Sequence, residues 1–302
     1  MEYGYIDDFL IKNSIDFTCD EPMSAHTTFR IGGCADRFVT VKNTEELTFL
    51  IPFLTENNVR YFILGRGSDL LVSDDGFRGV IISLGGEFRD ITLLEDGVTV
   101  RCGAGASLSA LCAFARDNSL SSLEFAWGIP GSVGGACYMN AGAYGGEMKD
   151  VLVHTEHITS SGKISAFSGD ELELSYRHSA YTGSSSIITF AECRLKKGNP
   201  AEIAARMDEL MEKRKSKQPL EYPSAGSTFK RPEGYFAAAL IEECGLKGVH
   251  VGDACVSEKH SGFVVNKGSS SCRDVLELIE IIRRTVKEKR NVDLELEVIY
   301  LE

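Results

Sequence analysis

The residues predict an α+β protein of two domains, and three observations carry that prediction. Short apolar and β-branched segments are mixed with few helical ones, so the chain is not a βαβ repeat. The composition changes near residue 198, where Gly198-Asn199-Pro200 punctuates the chain and a strongly helical, basic stretch follows. Between these regions, residues 126–146 carry seven glycines in 21 positions without repetition or strong charge. Such a run suits neither a helix nor a strand interior, because glycine loses more backbone freedom on folding than any other residue. The expected boundary divides 1–197 from 198–302, and each part is long enough to bury its own core.

In chain order, Ile6, Phe9 and Leu10 mark one side of a short helix over 4–14. Thr27-Thr28-Phe29-Arg30 before Gly32-Gly33 reads as a strand entering a tight turn, and 38–41 as a second strand. Thr44 is the expected cap of a helix over 45–57, where Leu47, Leu50 and Leu54 recur at helical spacing. A strand at 61–64 delivers Gly65-Arg66-Gly67-Ser68-Asp69. Strands at 80–83, 90–94 and 98–103 are parted by Gly-rich or Asp-Gly turns, and a helix over 108–117 follows. Beyond the glycine run, 151–159, 163–168 and 187–195 read as strands, with Ser161-Gly162 turning the first into the second.

After the boundary, 201–217 is a helix carrying Met207, Leu210 and Met211 and a basic end, stopped by Gln218-Pro219. A helix over 235–244 and a strand at 262–266 come next. Residues 271–289 form a long amphipathic helix with Val275, Leu278, Ile279, Ile282 and Val286 inward, and 294–301 the last strand. No internal repeat is present.

The formal net charge is −12, which argues against nucleic acid or an acidic membrane as a whole-surface partner. A phosphorylated ligand then needs positive potential focused locally. The nine cysteines form no CxxC pair and are odd in number, so they read as small buried hydrophobes in a reducing compartment, with no metal site. The segment Met-Glu-Tyr-Gly-Tyr-Ile-Asp-Asp lacks the basic and apolar regions of a signal peptide, and no apolar run is long enough to span a bilayer. A cytoplasmic protein is expected.

Two glycine elements carry the chemistry. Successive amides in Gly65-Arg66-Gly67-Ser68-Asp69 suit a phosphate, with charge from Arg66 and a hydroxyl from Ser68, although a bare turn gives the same pattern. The third glycine of the dinucleotide fingerprint is missing. In the longer run, Ser132, Gly134, Gly135 and Ala136 are expected to present backbone donors, Asn140 to meet a heterocycle edge, and Gly142 and Ala143 to leave room for a flat ring. Two such elements point to a large phosphorylated ligand. Ser227, after Gly226, fits either a turn serine or a proton donor, and no Gly-x-Ser-x-Gly elbow marks a hydrolase. Alternation over 294–298 puts Glu295 and Glu297 on one face, which fits either a solvated face or functional carboxylates. The basic cluster over 213–217 and Lys259-His260 fit either surface charge or contacts to a diphosphate.

Taken together, residues 26–33, 64–72, 128–136, 139–145, Tyr176-Arg177, 223–227 and 256–260 resemble the motifs of the UDP-N-acetylenolpyruvoylglucosamine reductases, flavoenzymes of peptidoglycan precursor synthesis. The resemblance covers nearly the whole chain. It implies a PCMH or vanillyl-alcohol-oxidase type FAD-binding fold of two α+β subdomains, split near 75–80, and a C-terminal α+β domain for the UDP-sugar. It implies a non-covalent FAD held by the residues 65–69 and by Gly131, Ser132, Gly134, Gly135, Ala136, Asn140, Gly142 and Ala143, with NADPH as co-substrate. It also implies a cytoplasmic monomer without nucleic-acid or membrane partners. The spacing from Tyr176 to 198 leaves no room for a tyrosine-bearing loop found in one branch, so the chain resembles the shorter branch. Gly262, where the family usually carries Asn, and the ending Ile-Tyr-Leu-Glu depart from the pattern.

The resemblance assigns roles as well. Hydride reaches C3 of the enolpyruvyl ether of UDP-N-acetylglucosamine enolpyruvate, Arg177 and Glu297 surround the carboxylate on which charge grows, and Ser227 gives a proton to C2 to form UDP-N-acetylmuramate. A carboxyl at Glu297 beside that anion serves only if it is protonated or holds another donor in place, and like charge and burial favour the protonated form. Lys217, Lys259 and Asn266 are the expected contacts of the UDP-sugar.

Overall fold

The computed structural model describes residues 3–302. The chain forms two compact units that do not follow its linear order. The first takes the residues up to Cys19, Arg37–Arg66 and Gly79–Lys213, and the second takes Asp20–Asp36, Gly67–Arg78 and Arg214–Glu302. The composition change at 198 coincides with the start of helix α5 (Pro200–Lys217), but that helix places Ile203 and Met207 in the large core of the first unit. The division is therefore not the linear one expected at 198.

Helix α1 (Gly4–Lys12) precedes a four-stranded sheet, most of whose residues belong to the first unit, ordered β1 (Asp16–Pro22), β2 (Cys34–Val41), β5 (Phe77–Leu84), β3 (Tyr61–Leu64), while β4 (Leu70–Val72) belongs to the second unit. β3 lies parallel to β5, with Tyr61 opposite Val80 and Leu64 opposite Ser83. Helix α2 (Thr44–Glu56) buries Leu47, Leu50, Ile51 and Leu54, each contributing about 1.5–3 kcal/mol through burial. A five-stranded antiparallel sheet is ordered β12 (Ile164–Ser168), β11 (Leu152–Ile158), β13 (Ile187–Arg194), β7 (Thr99–Gly103), β6 (Ile91–Leu93). Val100 and Cys102 on β7 and Ala191 and Cys193 on β13 alternate into the core, as period-two patterning requires. Helices α3 (Leu108–Asp117) and α4 (Val133–Tyr138) and two short pairs complete it: β9 (Gly142–Ala143) with β10 (Gly146–Glu147), and β8 (Leu120–Ser121) with β14 (Lys196–Lys197).

In the second unit, β15 (His250–Val251), β16 (Ala254–Val256) and β17 (Val264–Asn266) form an antiparallel sheet. Helices α6 (Ala237–Glu243) and α7 (Cys272–Arg290) share its core. The five apolar residues expected inward on α7 are all buried. Its start is fixed twice: Ser271 Oγ accepts from Asp274 N–H at 3.0 Å, and the Asp74 carboxylate accepts from Cys272 and Arg273 N–H at 2.7 and 3.1 Å. The last strand, β18 (Ile299–Leu301), runs parallel to β4.

Five local expectations are corrected. Residues 27–30 are not a strand, because Thr27 Oγ1 donates to Ile31 O at 3.1 Å and Arg30 N–H to Thr27 O at 3.1 Å, which wraps the segment into a turn. Asn43, not Thr44, caps α2: its side chain accepts from Glu46 N–H at 2.9 Å, while the Thr44 hydroxyl donates to Glu87 at 2.6 Å. The helix expected from 235 begins at Ala237. The strand expected over 294–301 is reduced to 299–301, because the segment changes partner: Leu296 bridges Phe229, and Ile299 pairs with Leu70. The glycine run contains a helix after all, α4, with Gly134 and Gly135 inside it. A methyl on Gly134 would lie 2.8 Å from Ala104 Cβ, so the glycine there serves close packing. Among the described residues, no helix is long and apolar enough to cross a membrane.

Candidate active site

The loop after β3 keeps its amides open. Among the described residues, the N–H groups of Gly65, Arg66, Gly67 and Ser68 donate to no protein acceptor. Gly67 adopts φ +58°, and a methyl there would run into His26 O. Gly65 is next to the second glycine element, since a methyl on it would lie 2.5 Å from Ser132 Oγ. The Gly131 and Ser132 N–H groups are likewise without a protein acceptor. Consecutive open amides beside a close-approach glycine are the features of an anion-binding backbone.

The remaining donors expected in that run are already engaged. Gly134 N–H donates to Ala104 O at 2.8 Å, Gly135 N–H to Ser132 Oγ at 3.2 Å and Ala136 N–H to Ser132 O at 2.9 Å. They build α4 and dock it, so the open amides are Gly131 and Ser132 rather than Gly134, Gly135 and Ala136. Gly142 and Ala143 form one strand of a hairpin whose two-residue loop, Tyr144-Gly145, has φ +55° and +86°. A methyl on Gly142 would meet Gly146 O at 2.8 Å, so the hairpin itself needs that glycine.

Asn140 does not offer its amide to a heterocycle. It is 1% exposed, and its side chain donates to Glu147 Oε2 and Ser175 O, both at 3.0 Å, and accepts from Lys149 N–H at 2.8 Å. Ser175 opens the turn that carries Arg177. Ser175 N–H donates to His178 O and His178 N–H to Ser175 O, at 3.2 and 3.1 Å, which leaves Tyr176 and Arg177 at the tip. Arg177 has φ +53°, a conformation that costs a non-glycine residue about 1–3 kcal/mol and persists only where its surroundings enforce it. Its guanidinium carbon lies 5.2 Å from the centre of the half-exposed Tyr176 ring.

In the second unit, backbone pairing joins the segment after Ser227 to the segment that carries Glu297. Glu297 N–H donates to Thr228 O at 3.0 Å and Lys230 N–H to Glu295 O at 2.9 Å, so 227–230 and 295–297 run as adjacent antiparallel segments. Gly226 has φ +76° with open space around it, so it supplies the bend that presents Ser227. Ser227 is half-buried, and among the described residues no protein group hydrogen-bonds its Oγ. Leu294 and Val298 are buried and Glu295 is exposed, so the side-chain alternation expected here survives without a continuous strand.

The three expected sugar-nucleotide contacts divide. Lys217 is exposed at the end of α5. Lys259 Nζ lies 3.6 Å from Glu221 Oε2 in a partly exposed pair. Asn266 is buried and committed: Nδ2 donates to Phe29 O at 3.2 Å, and Oδ1 accepts from Gly268 and Ser270 N–H at 3.0 and 3.2 Å. It braces the fold rather than presenting its amide. Burial pushes the His260 imidazole below its ordinary 6.5, and its Nδ1 accepts from Gly262 N–H at 3.2 Å, so His260 adds no cation beside Lys259 near neutral pH. A side chain at Gly262 would press on Ala238 Cβ and the His260 ring, which explains glycine at that departure from the family pattern. Sequence reading missed Glu147 and Ser175, the partners of Asn140. The Glu147–Asp150 capping box was the signal for the first, and nothing local marks the second.

Two family models match the chain: "FAD binding domain" over residues 35–168 and "UDP-N-acetylenolpyruvoylglucosamine reductase, C-terminal domain" over 218–301. The UDP-N-acetylenolpyruvoylglucosamine reductase of Clostridium novyi is 51% identical over 289 residues, covering 95% of this chain and 91% of its own. That of Lachnoclostridium phytofermentans is 50% identical over 283 residues, covering 93% and 91%. The crystal structure of the UDP-N-acetylenolpyruvylglucosamine reductase from Thermus caldophilus aligns with a TM-score of 0.80 at 38% identity, covering 95% of this chain and 99% of that one.

Proposed function

The chain belongs to the UDP-N-acetylenolpyruvoylglucosamine reductase family, and from that premise we propose that it reduces UDP-N-acetylglucosamine enolpyruvate to UDP-N-acetylmuramate with bound FAD and with NADPH as reductant. It is a flavin oxidoreductase of peptidoglycan synthesis, with the PCMH-type FAD-binding fold and a C-terminal substrate domain. The observation that supports the residue-level reading is the backbone pairing, through Thr228, of the Ser227 segment with the Glu297 segment.

The residues present fit a dinucleotide. The open amides at 65–68 and at Gly131 and Ser132 would take its phosphates, and the close approach at Gly65 explains why no side chain stands there. When bound, FAD supplies the two-electron redox chemistry. The protein supplies the rest. Arg177 would offer paired N–H donors to the substrate carboxylate as negative charge grows on it. Glu297, protonated, would add a further donor, and Ser227 Oγ would deliver the proton to C2. Lys217 and Lys259 would meet the diphosphate. Asp69, also expected at the flavin, follows the open amides directly in the chain.

An anaerobic two-step assay tests this reading. NADPH should bleach the bound flavin, and UDP-N-acetylglucosamine enolpyruvate should then restore its colour. Protein that cannot be loaded with FAD, or that bleaches yet is not reoxidised by the sugar nucleotide, would overturn it.

A further inference from the structure

We propose that Asn140 is the positioning residue for Arg177, fastening the arginine turn to the glycine-rich segment. The inference rests on the reading above that Arg177 meets the substrate carboxylate. Ser175 O accepts twice, once from His178 N–H, which closes the turn at 3.1 Å, and once from Asn140 Nδ2 at 3.0 Å, which anchors it. A second tether lies just past the turn, where Ser179 Oγ donates to Tyr138 O at 2.6 Å. Both tethers end in the glycine-rich run, two residues apart. The turn is thereby held on each side of an arginine whose backbone sits at φ +53°.

The chemistry of the position calls for asparagine. Its neighbours are two acceptors, Ser175 O and Glu147 Oε2, and one donor, Lys149 N–H. A carboxamide is the group of this size with two N–H donors and an acceptor, and the acceptor carboxylate of Glu147 fixes which end points where. Glu147 is itself held, because its side chain accepts from Asp150 N–H in a capping box. The backbone of Asn140 lies at φ +45°, a conformation that Asn tolerates better than most residues. Aspartate fits that backbone but lacks both donors and faces Glu147 with like charge. Glycine fits it and removes the side chain.

The test uses FAD-loaded enzyme carrying Asn140→Asp or Asn140→Gly, alone and combined with Arg177→Ala. Three readouts are taken: melting temperature with FAD retention, flavin reduction by NADPH, and flavin reoxidation by UDP-N-acetylglucosamine enolpyruvate. The expected result is reduction within about twofold of the parent and reoxidation about 10- to 100-fold slower, as for a misplaced catalytic group. In the Arg177→Ala background the Asn140 substitution should cost less than about twofold more, because the two residues act as one unit. Ser179→Ala, which removes only the second tether, should give the same pattern with a smaller loss, and serves if neither Asn140 variant holds FAD. Losses that multiply across the double variant, or reoxidation at the parental rate in the Asn140 and Ser179 variants, would overturn the proposal. If Arg177→Ala alone reoxidises at the parental rate, the role of Arg177 fails and takes this proposal with it.

Discussion

Glu297 donates its peptide N–H to the carbonyl of Thr228 at 3.0 Å, one residue from Ser227. The neighbouring bond from Lys230 N–H to Glu295 O, at 2.9 Å, extends the pairing. Backbone pairing therefore fixes the segment that carries the Ser227 hydroxyl against the segment that carries the Glu297 carboxyl. The pairing uses main-chain groups alone, so replacing either side chain removes none of these bonds.

Ser227→Ala removes a hydroxyl that, among the described residues, no protein group engages, so the fold should be untouched. Flavin reduction by NADPH should stay near the parental rate. Reoxidation by the enolpyruvyl substrate should slow by about 10²–10⁴-fold, the usual loss for a proton donor. Stopped-flow absorbance under anaerobic conditions separates the two steps. Equal slowing of both would remove Ser227 from the proton transfer.

Glu297→Gln and Glu297→Ala separate a neutral donor from a charge. If the carboxyl works protonated, Gln keeps an N–H in its place and should retain much more activity than Ala. Ala should lose about 10²–10³-fold, as when one donor to a developing anion is deleted. Steady-state rates with saturating NADPH decide between them, and Gln as slow as Ala would show that the negative charge itself is needed.

Gly65→Ala would place a methyl 2.5 Å from Ser132 Oγ, closer than real contacts allow. Relieving the clash shifts the two glycine elements against each other, at about 1–3 kcal/mol. FAD titrations should show weakened binding. Adding Ser132→Ala leaves the Ser132 β-carbon at an ordinary 3.5 Å from the new methyl, so the double variant should bind FAD better than Gly65→Ala alone. That gain should appear even though Ser132→Ala by itself removes the α4 cap, at about 1 kcal/mol.

Much of the fold was legible because local pattern and tertiary structure agree. The α7 stripe and its Ser271 cap, the β11–β12 hairpin at Ser161-Gly162, and β3 feeding the 65–68 loop follow from periodicity and turn chemistry. The misses share one cause, a partner distant in sequence. The Thr44 hydroxyl is taken by Glu87, 43 residues away, while Asn43 caps the helix, and Gly134 belongs to a helix that must approach Ala104. The sequence around Asn140 suggests a ligand contact because nothing beside it announces Ser175, 35 residues on. The linear boundary failed because early segments join the second unit, which composition along the chain does not record.

His157 is buried beside Phe167, with ring centres 4.6 Å apart, and its Nδ1 lies 3.0 Å from Tyr181 OH, which pairs with Thr155 Oγ1 at 2.6 Å. Burial lowers the imidazole from its ordinary 6.5. The unfolded chain therefore takes up this proton at a higher pH than the folded one. The stability contribution is complete above about pH 6.5 and falls as pH drops from there toward the lowered folded value. Burial shifts His260 in the same direction, so both act together. His157→Gln should cost about 1 kcal/mol at about pH 7.5 through the altered hydrogen bond. Its melting temperature should then fall less than the parent's between about pH 7.5 and about pH 5.5, because one of the two protonating groups is gone. Melting curves across that range check the sign, and an identical pH slope in the variant would mean that the folded and unfolded chains protonate His157 alike, so that burial does not shift it.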